Sequence, residues 1–138
     1  MRGHEPVTLG PQATVRQATR VMAEHGIGAV MVTDGHDLVG IVTERDVMNR
    51  VDAKGLDPDR TVLGDVMTRG PKTVSPDDPA IKGLRILKDE GFRHMPVARG
   101  KRIVGVLSAR DFTSDELAEV EDEVDFQRAF VEGGVEHT

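Results

Sequence analysis

Residues 40–46 read Gly-Ile-Val-Thr-Glu-Arg-Asp, and residues 105–111 read Gly-Val-Leu-Ser-Ala-Arg-Asp. In each, a hydroxyl residue (Thr43 or Ser108) stands three positions before an aspartate (Asp46 or Asp111), where a predicted strand turns into a helix. A helix start leaves N–H groups free and carries partial positive charge, so a phosphate beside Thr43 or Ser108 would meet donors and a favourable field. A carboxylate only accepts, and the two neighbouring hydroxyls of a ribose can donate to it in parallel. Hydroxyl plus aspartate therefore suits a ribose-phosphate. The same spacing is also a capping box, whose side chains do nothing but start a helix. Duplication does not choose between the two, and Arg45 and Arg110 read equally as phosphate contacts or as solvated first-turn residues.

A second candidate element is Gly91-Phe92-Arg93-His94-Met95-Pro96-Val97. Its counterpart earlier in the chain, Gly26-Ile27-Gly28-Ala29-Val30-Met31-Val32, carries no charge. A pocket for a polyanion is therefore expected on the Arg93 and His94 side, unless Arg93 is plain surface and His94 a structural hydrogen-bonder. Catalysis is disfavoured: a duplicated motif assigns Asp46 and Asp111 to separate clefts, whereas carboxylate catalysis needs both on one substrate within roughly 5 to 10 Å. The five histidines (His4, His25, His36, His94 and His137) share no metal-ligand spacing.

Chain-wide chemistry narrows the classes further. The 138 residues contain no cysteine, which removes thiolate metal sites, disulfides and a cysteine nucleophile. The net charge is -6, with no tryptophan or tyrosine and only four phenylalanines, a poor surface for phosphate backbones and stacked bases. No apolar run approaches the ~18 residues of a membrane span, and the N-terminus has no apolar signal core, so a cytoplasmic protein is expected.

The elements that must position these residues come twice. Sliding the chain on itself by 65 positions aligns about forty residues without a gap, including Gly26 on Gly91, Gly35 on Gly100, and 38–47 on 103–112. Each copy reads strand, helix, strand, strand, helix, an α/β unit. In the first, a strand near Val7–Leu9 precedes a helix from about Val15 to His25, with Thr14 and Gln17 as a capping box and Gly26 as its stop. Ala29–Val32 and Leu38–Val42 form a hairpin around Asp34-Gly35, and a helix runs from Thr43 to about Val51. The second copy predicts a strand near Thr73-Val74, a helix from Pro79 to Glu90, strands Met95–Ala98 and Arg102–Leu107, and a helix from Ser108.

The organisation read from this is a first repeat at 1–52, a linker and lead-in helix at 53–68, a second repeat at 69–114, and an acidic tail at 115–138. The lead-in Asp65-Val66-Met67-Thr68 has no counterpart before the first copy, because Met1 stands opposite Val66. From residue 113 on there are nine acidic residues and one basic. Leu117, Val120, Val124, Phe126 and Phe130 among them suggest an amphipathic helix. A unit of about fifty residues cannot cover its own apolar surface, so the copies should pack sheet to sheet about a pseudo-two-fold axis.

These residues together resemble a tandem pair of cystathionine β-synthase (CBS) domains. Gly40–Asp46 and Gly105–Asp111 look like that family's Gly-x-x-Thr/Ser-x-x-Asp nucleotide motif, and Arg93–Val97 looks like its basic-hydrophobic-Pro-Val strand. The resemblance implies a regulatory module that binds AMP, ADP, ATP, S-adenosylmethionine or NAD in clefts between the repeats. It also implies a homodimer, with signalling through a partner protein or the oligomeric state; a homodimerisation module without ligand is the alternative. In the favoured site, Asp111 would hold ribose, Ser108 ribose or phosphate, and Arg93, His94 and Arg110 the phosphates, with adenine near Thr73, Val74, Met95 and Pro96. The second site would use Asp46, Thr43 and Arg45, with a wall of Val7, Thr8, Val30 and Met31. Because the first copy has Gly28-Ala29 in place of the basic pair, phosphate binding is expected to be weaker there.

Overall fold

A computed structural model describes residues 5–90 and 93–108. The helix expected from Ser108, the acidic helix after residue 115, and the candidate residues Arg110 and Asp111 lie outside the described residues. The elements are β1 (Thr8–Leu9), α1 (Val15–His25), β2 (Ala29–Asp34), β3 (Asp37–Thr43), α2 (Glu44–Asp46) continuing as a π-helix (Val47–Asp52), α3 (Leu63–Val66), β4 (Thr68–Arg69), α4 (Ala80–Glu90), β5 (His94–Arg99) and β6 (Arg102–Ser108). The repeat expected from sequence is kept in its first helix and its hairpin. Shifting α1, β2 and β3 by 65 positions lands on α4, β5 and β6 with the same bounds.

Local chemistry explains these elements. Thr14 accepts from the Gln17 N–H while the Gln17 side chain accepts from the Thr14 N–H, so two otherwise orphaned donors are satisfied where α1 begins. Gly26 ends the helix at φ 61°, a left-handed conformation that glycine adopts without a Cβ penalty. Val15, Ala18 and Met22 recur on one face and are buried.

The strands alternate between two cores, which is why β2 reads as a continuous apolar run. Val30 and Val32 point toward α1 and join Val15, Ala18, Met22, Val42, Val51 and Leu63. Ala29 and Met31, on the opposite face, pack with Ile41 against Ile103 and Val106 of the second repeat. That second cluster is the sheet-to-sheet contact of the pseudo-two-fold pair. A smaller core of Val74, Leu87, Met95, Val97 and Leu107 serves the second repeat. Full burial of each such valine or leucine contributes about 1.5–3 kcal/mol, so both repeats are held by side chains shared with a neighbouring layer.

Hydrogen bonding joins the hairpins into one six-stranded path, β1-β2-β3-β6-β5, with β4 paired to β3. The junction is narrow: β3 meets β6 at Asp37–Arg102, supported by the Leu38 N–H donating to the Lys101 carbonyl at 2.8 Å. Both hairpins carry a register shift at the same repeat position, between Val32 and Thr33 and between Val97 and Ala98. The strand expected near Thr73-Val74 shrinks to a single parallel bridge from Val74 to Val97.

Candidate functional site

Two open clefts lie between the repeats, and Gly28, Glu44, Arg93 and His94 belong to both. The larger, of about 770 Å³, is lined by Thr43, Arg45 and Asp46 of the first repeat together with Arg93, His94 and Pro96 of the second. Its remaining wall includes Ile41 and Met48, and a floor from Thr68, Gly70, Pro71 and Lys72 in the segment leading into the second repeat. The other cleft, of about 700 Å³, is bounded by Met22, Ala23 and Gly26–Gly28 at the end of α1 and reaches Ser108.

The grouping differs from the one read in sequence. The motif of the first repeat shares its cleft with the cations of the second, so the basic residues missing at Gly28-Ala29 are supplied across the repeat boundary. Ser108 is buried at 7% exposure and lines the smaller cleft. Strand alternation places Val30, Met31, Val74 and Met95 in the cores. Those four, with Val7, Thr8 and Thr73, are absent from the walls of both clefts. Of the expected adenine walls, only Pro96 faces one.

Thr68, Gly70, Pro71 and Lys72 were missed in sequence because nothing there places the lead-in over β3. The clue was Gly40: a Cβ at this position would collide with the Met67 side chain and stand 3.0 Å from the Thr68 carbonyl. Glycine leaves room for the lead-in to cross this close, and β4 pairs there with Gly40 and Ile41.

The capping box at the motif is real. The Thr43 N–H donates to Asp46 Oδ2 at 2.9 Å and the Asp46 N–H to Thr43 Oγ1 at 3.2 Å. The Glu44 N–H donates to the Gly28 carbonyl at 2.9 Å. These bonds occupy several of the donors that a bare helix start would offer an anion, so positive charge in this cleft comes from the side chains of Arg45, Lys72 and Arg93. The carboxylate of Asp46, 15% exposed, has about four acceptor positions. One takes the Thr43 N–H, and Arg50 approaches the other oxygen at 3.7 Å while donating to the Val66 carbonyl at 2.9 Å. Capping therefore orients the aspartate without exhausting it. The π-helix begins at the next residue, Val47; such widened turns recur beside functional sites.

Among the described residues there is no cluster of three or more side chains able to hold a metal, and no helix long and apolar enough to cross a membrane.

Comparison with known proteins agrees with the duplication. Residues 3–53 and 63–115 each match the family model of the CBS domain. A CBS domain-containing protein of Arabidopsis thaliana is 35% identical over 122 residues, covering 88% of this chain and 23% of its own length. The chain spans between 22% and 61% of the first three curated relatives it matches. Among solved structures, a CBS domain protein of Pyrobaculum aerophilum complexed with AMP superposes with a TM-score of 0.77 at 28% identity, over 88% of this chain and 99% of that one. A hexameric CBS-CP12 protein from bloom-forming cyanobacteria gives 0.72 at 27% identity, over 99% and 87%.

Proposed function

The chain belongs to the CBS domain family, whose members are regulatory modules rather than catalysts, and from this premise we propose that it binds an adenine nucleotide or related adenosyl ligand between its repeats. The carrying observation is the convergence of Thr43 and Asp46 with Arg93, His94 and Pro96 around one cleft of about 770 Å³. In this reading the acceptor positions left on Asp46 take the ribose hydroxyls. Arg93, His94, Arg45 and Lys72 face the phosphates, and Ile41, Pro96 and Met48 flank the base. The smaller cleft, which Ser108 lines, is a second site, and the sequence motif that begins there ends at Asp111. AMP in the Pyrobaculum relative supports the ligand class.

A ligand held by both repeats favours whichever arrangement of them it binds more tightly, and that difference is the regulatory output. The output passes to a partner protein or through self-association. A homodimer built on the helix faces is the simplest assembly, and the hexameric cyanobacterial relative shows that CBS proteins can self-associate. A cytoplasmic location is part of the same proposal.

Calorimetric titration with AMP, ADP, ATP, S-adenosylmethionine and NAD, on the wild type and on Asp46→Ala and Asp111→Ala, tests it. Saturable binding reduced at least tenfold by Asp46→Ala is expected, since charged hydrogen bonds contribute about 1.5–3 kcal/mol each. Loss only in Asp111→Ala would move the principal site to the motif of the second repeat. No binding of any ligand by the wild type would leave the Thr43–Asp46 box as a helix cap and the chain as a dimerisation module.

A further inference from the structure

We infer that Glu44 selects ligands by phosphate charge, holding the clefts toward nucleosides and monophosphates and against triphosphates; this rests on the nucleotide reading above. Glu44 stands in the wall that the two clefts share, together with Gly28, Arg93 and His94. Its carboxylate lies 3.5 Å from the Arg93 guanidinium, and the two side chains are 65% and 72% exposed. An anion that reaches Arg93 from either cleft therefore meets a carboxylate already in place. A single phosphate can share the guanidinium with it, whereas each further phosphate adds repulsion that the pairing does not relieve.

The placement is specific to one repeat. Gly28 and Arg93 are the same repeat position, as are Glu44 and Ala109, so the acid stands in the copy that lacks the cation. Its backbone is fixed by the hydrogen bond from the Glu44 N–H to the Gly28 carbonyl. The carboxylate packs over the bare glycine, with Oε1 3.1 Å from where a Cβ would be and the His94 ring 3.3 Å from the same point. Glycine at 28 thus makes room for the carboxylate that pairs with Arg93 and for the His94 imidazole.

The test is calorimetric titration of the wild type, Glu44→Gln and Arg93→Gln with adenosine, AMP, ADP and ATP, without magnesium and at low salt. Glu44→Gln should tighten ATP roughly two- to fivefold and AMP less, leaving adenosine unchanged, because one exposed charge pair acts on this scale. Arg93→Gln should change the ladder in the opposite sense. A Glu44→Gln ladder parallel to the wild type, or ATP weakened by it, overturns the selector while leaving nucleotide binding intact. Failure of all four ligands to bind the wild type overturns the nucleotide reading and this inference with it.

Discussion

The two repeats share a backbone and divide the chemistry. Helix, hairpin and even the strand irregularity recur at a constant spacing of 65 residues, yet the residues that face the clefts do not match. Gly28-Ala29 stand where Arg93-His94 stand, and Glu44 where Ala109 stands. The fold needs only apolar residues at alternating strand positions and glycine at the turns, and both copies keep these. Freed of that constraint, the first copy contributes the hydroxyl, the aspartate, the acidic Glu44 and Arg45, and the second contributes Lys72, Arg93 and His94. A site assembled this way exists only while the repeats are docked, so anything that changes their docking also changes the site.

The sharpest way to break this comparison is Gly40, the point at which the lead-in to the second repeat crosses the first. Gly40→Ala forces a Cβ onto Met67 and to 3.0 Å from the Thr68 carbonyl. Overpacking of this kind costs about 1–3 kcal/mol, read as a lower midpoint in urea unfolding. Because Thr68 is also part of the larger cleft's floor, ligand binding should weaken in the same variant. Unchanged stability would mean that the lead-in moves aside freely and that the two repeats are less tightly coupled than the contact implies.

The parts of the molecule legible in sequence were those set by local rules. Capping at Thr14, the stop at Gly26 and the hairpin at Asp34-Gly35 depend on residues within a few positions of one another, and all are present. Sheet-to-sheet packing followed from apolar surface too large for one copy. The composition of the cleft was less legible, since it depends on which copy's motif faces which copy's cations. Sequence grouped Arg93 and His94 with Ser108 and Asp111 of their own repeat; the smaller cleft does join them to Ser108, but the larger joins them to Thr43 and Asp46. Pairing across a pseudo-two-fold is a property of the docked pair and leaves no spacing to read. The same holds for Lys72, whose charge was visible but whose place beside β3 depends on how α3 leads into β4.

A smaller difference separates the starts of α1 and α4. Thr14 caps α1 with both halves of the box, but the matching position before α4 is Pro79, which has no side-chain acceptor. Thr14→Ala should therefore lower stability by about 0.5–2 kcal/mol, measured by thermal or urea unfolding, whereas Pro79→Ala should leave no comparable capping loss. If Thr14→Ala is neutral, the helix start is held instead by the Val15 N–H donating to the Thr61 carbonyl at 2.9 Å, a contact with the linker.

The second repeat instead carries a carboxylate in the turn that precedes α4, which makes this approach to the helix sensitive to acid. Asp78 Oδ2 accepts from the Ser75 N–H at 2.9 Å and from Lys82 Nζ at 3.2 Å. The Ser75 backbone hydrogen bond, followed by the Lys82 bond, holds its pKa below the ordinary 3.8. A carboxylate whose folded pKa lies below its unfolded one stabilises fully above the unfolded value and loses that contribution as pH falls through the folded value. The difference in stability between wild type and Asp78→Asn should therefore be constant at neutral and mildly acidic pH and shrink only below about pH 4. Thr14→Ala, which removes a neutral cap, should show no such convergence. A gap between wild type and Asp78→Asn that persists unchanged to pH 2 would mean the loop is held by its backbone turns, with the charge of Asp78 contributing nothing, and the two helix starts would differ in sequence alone.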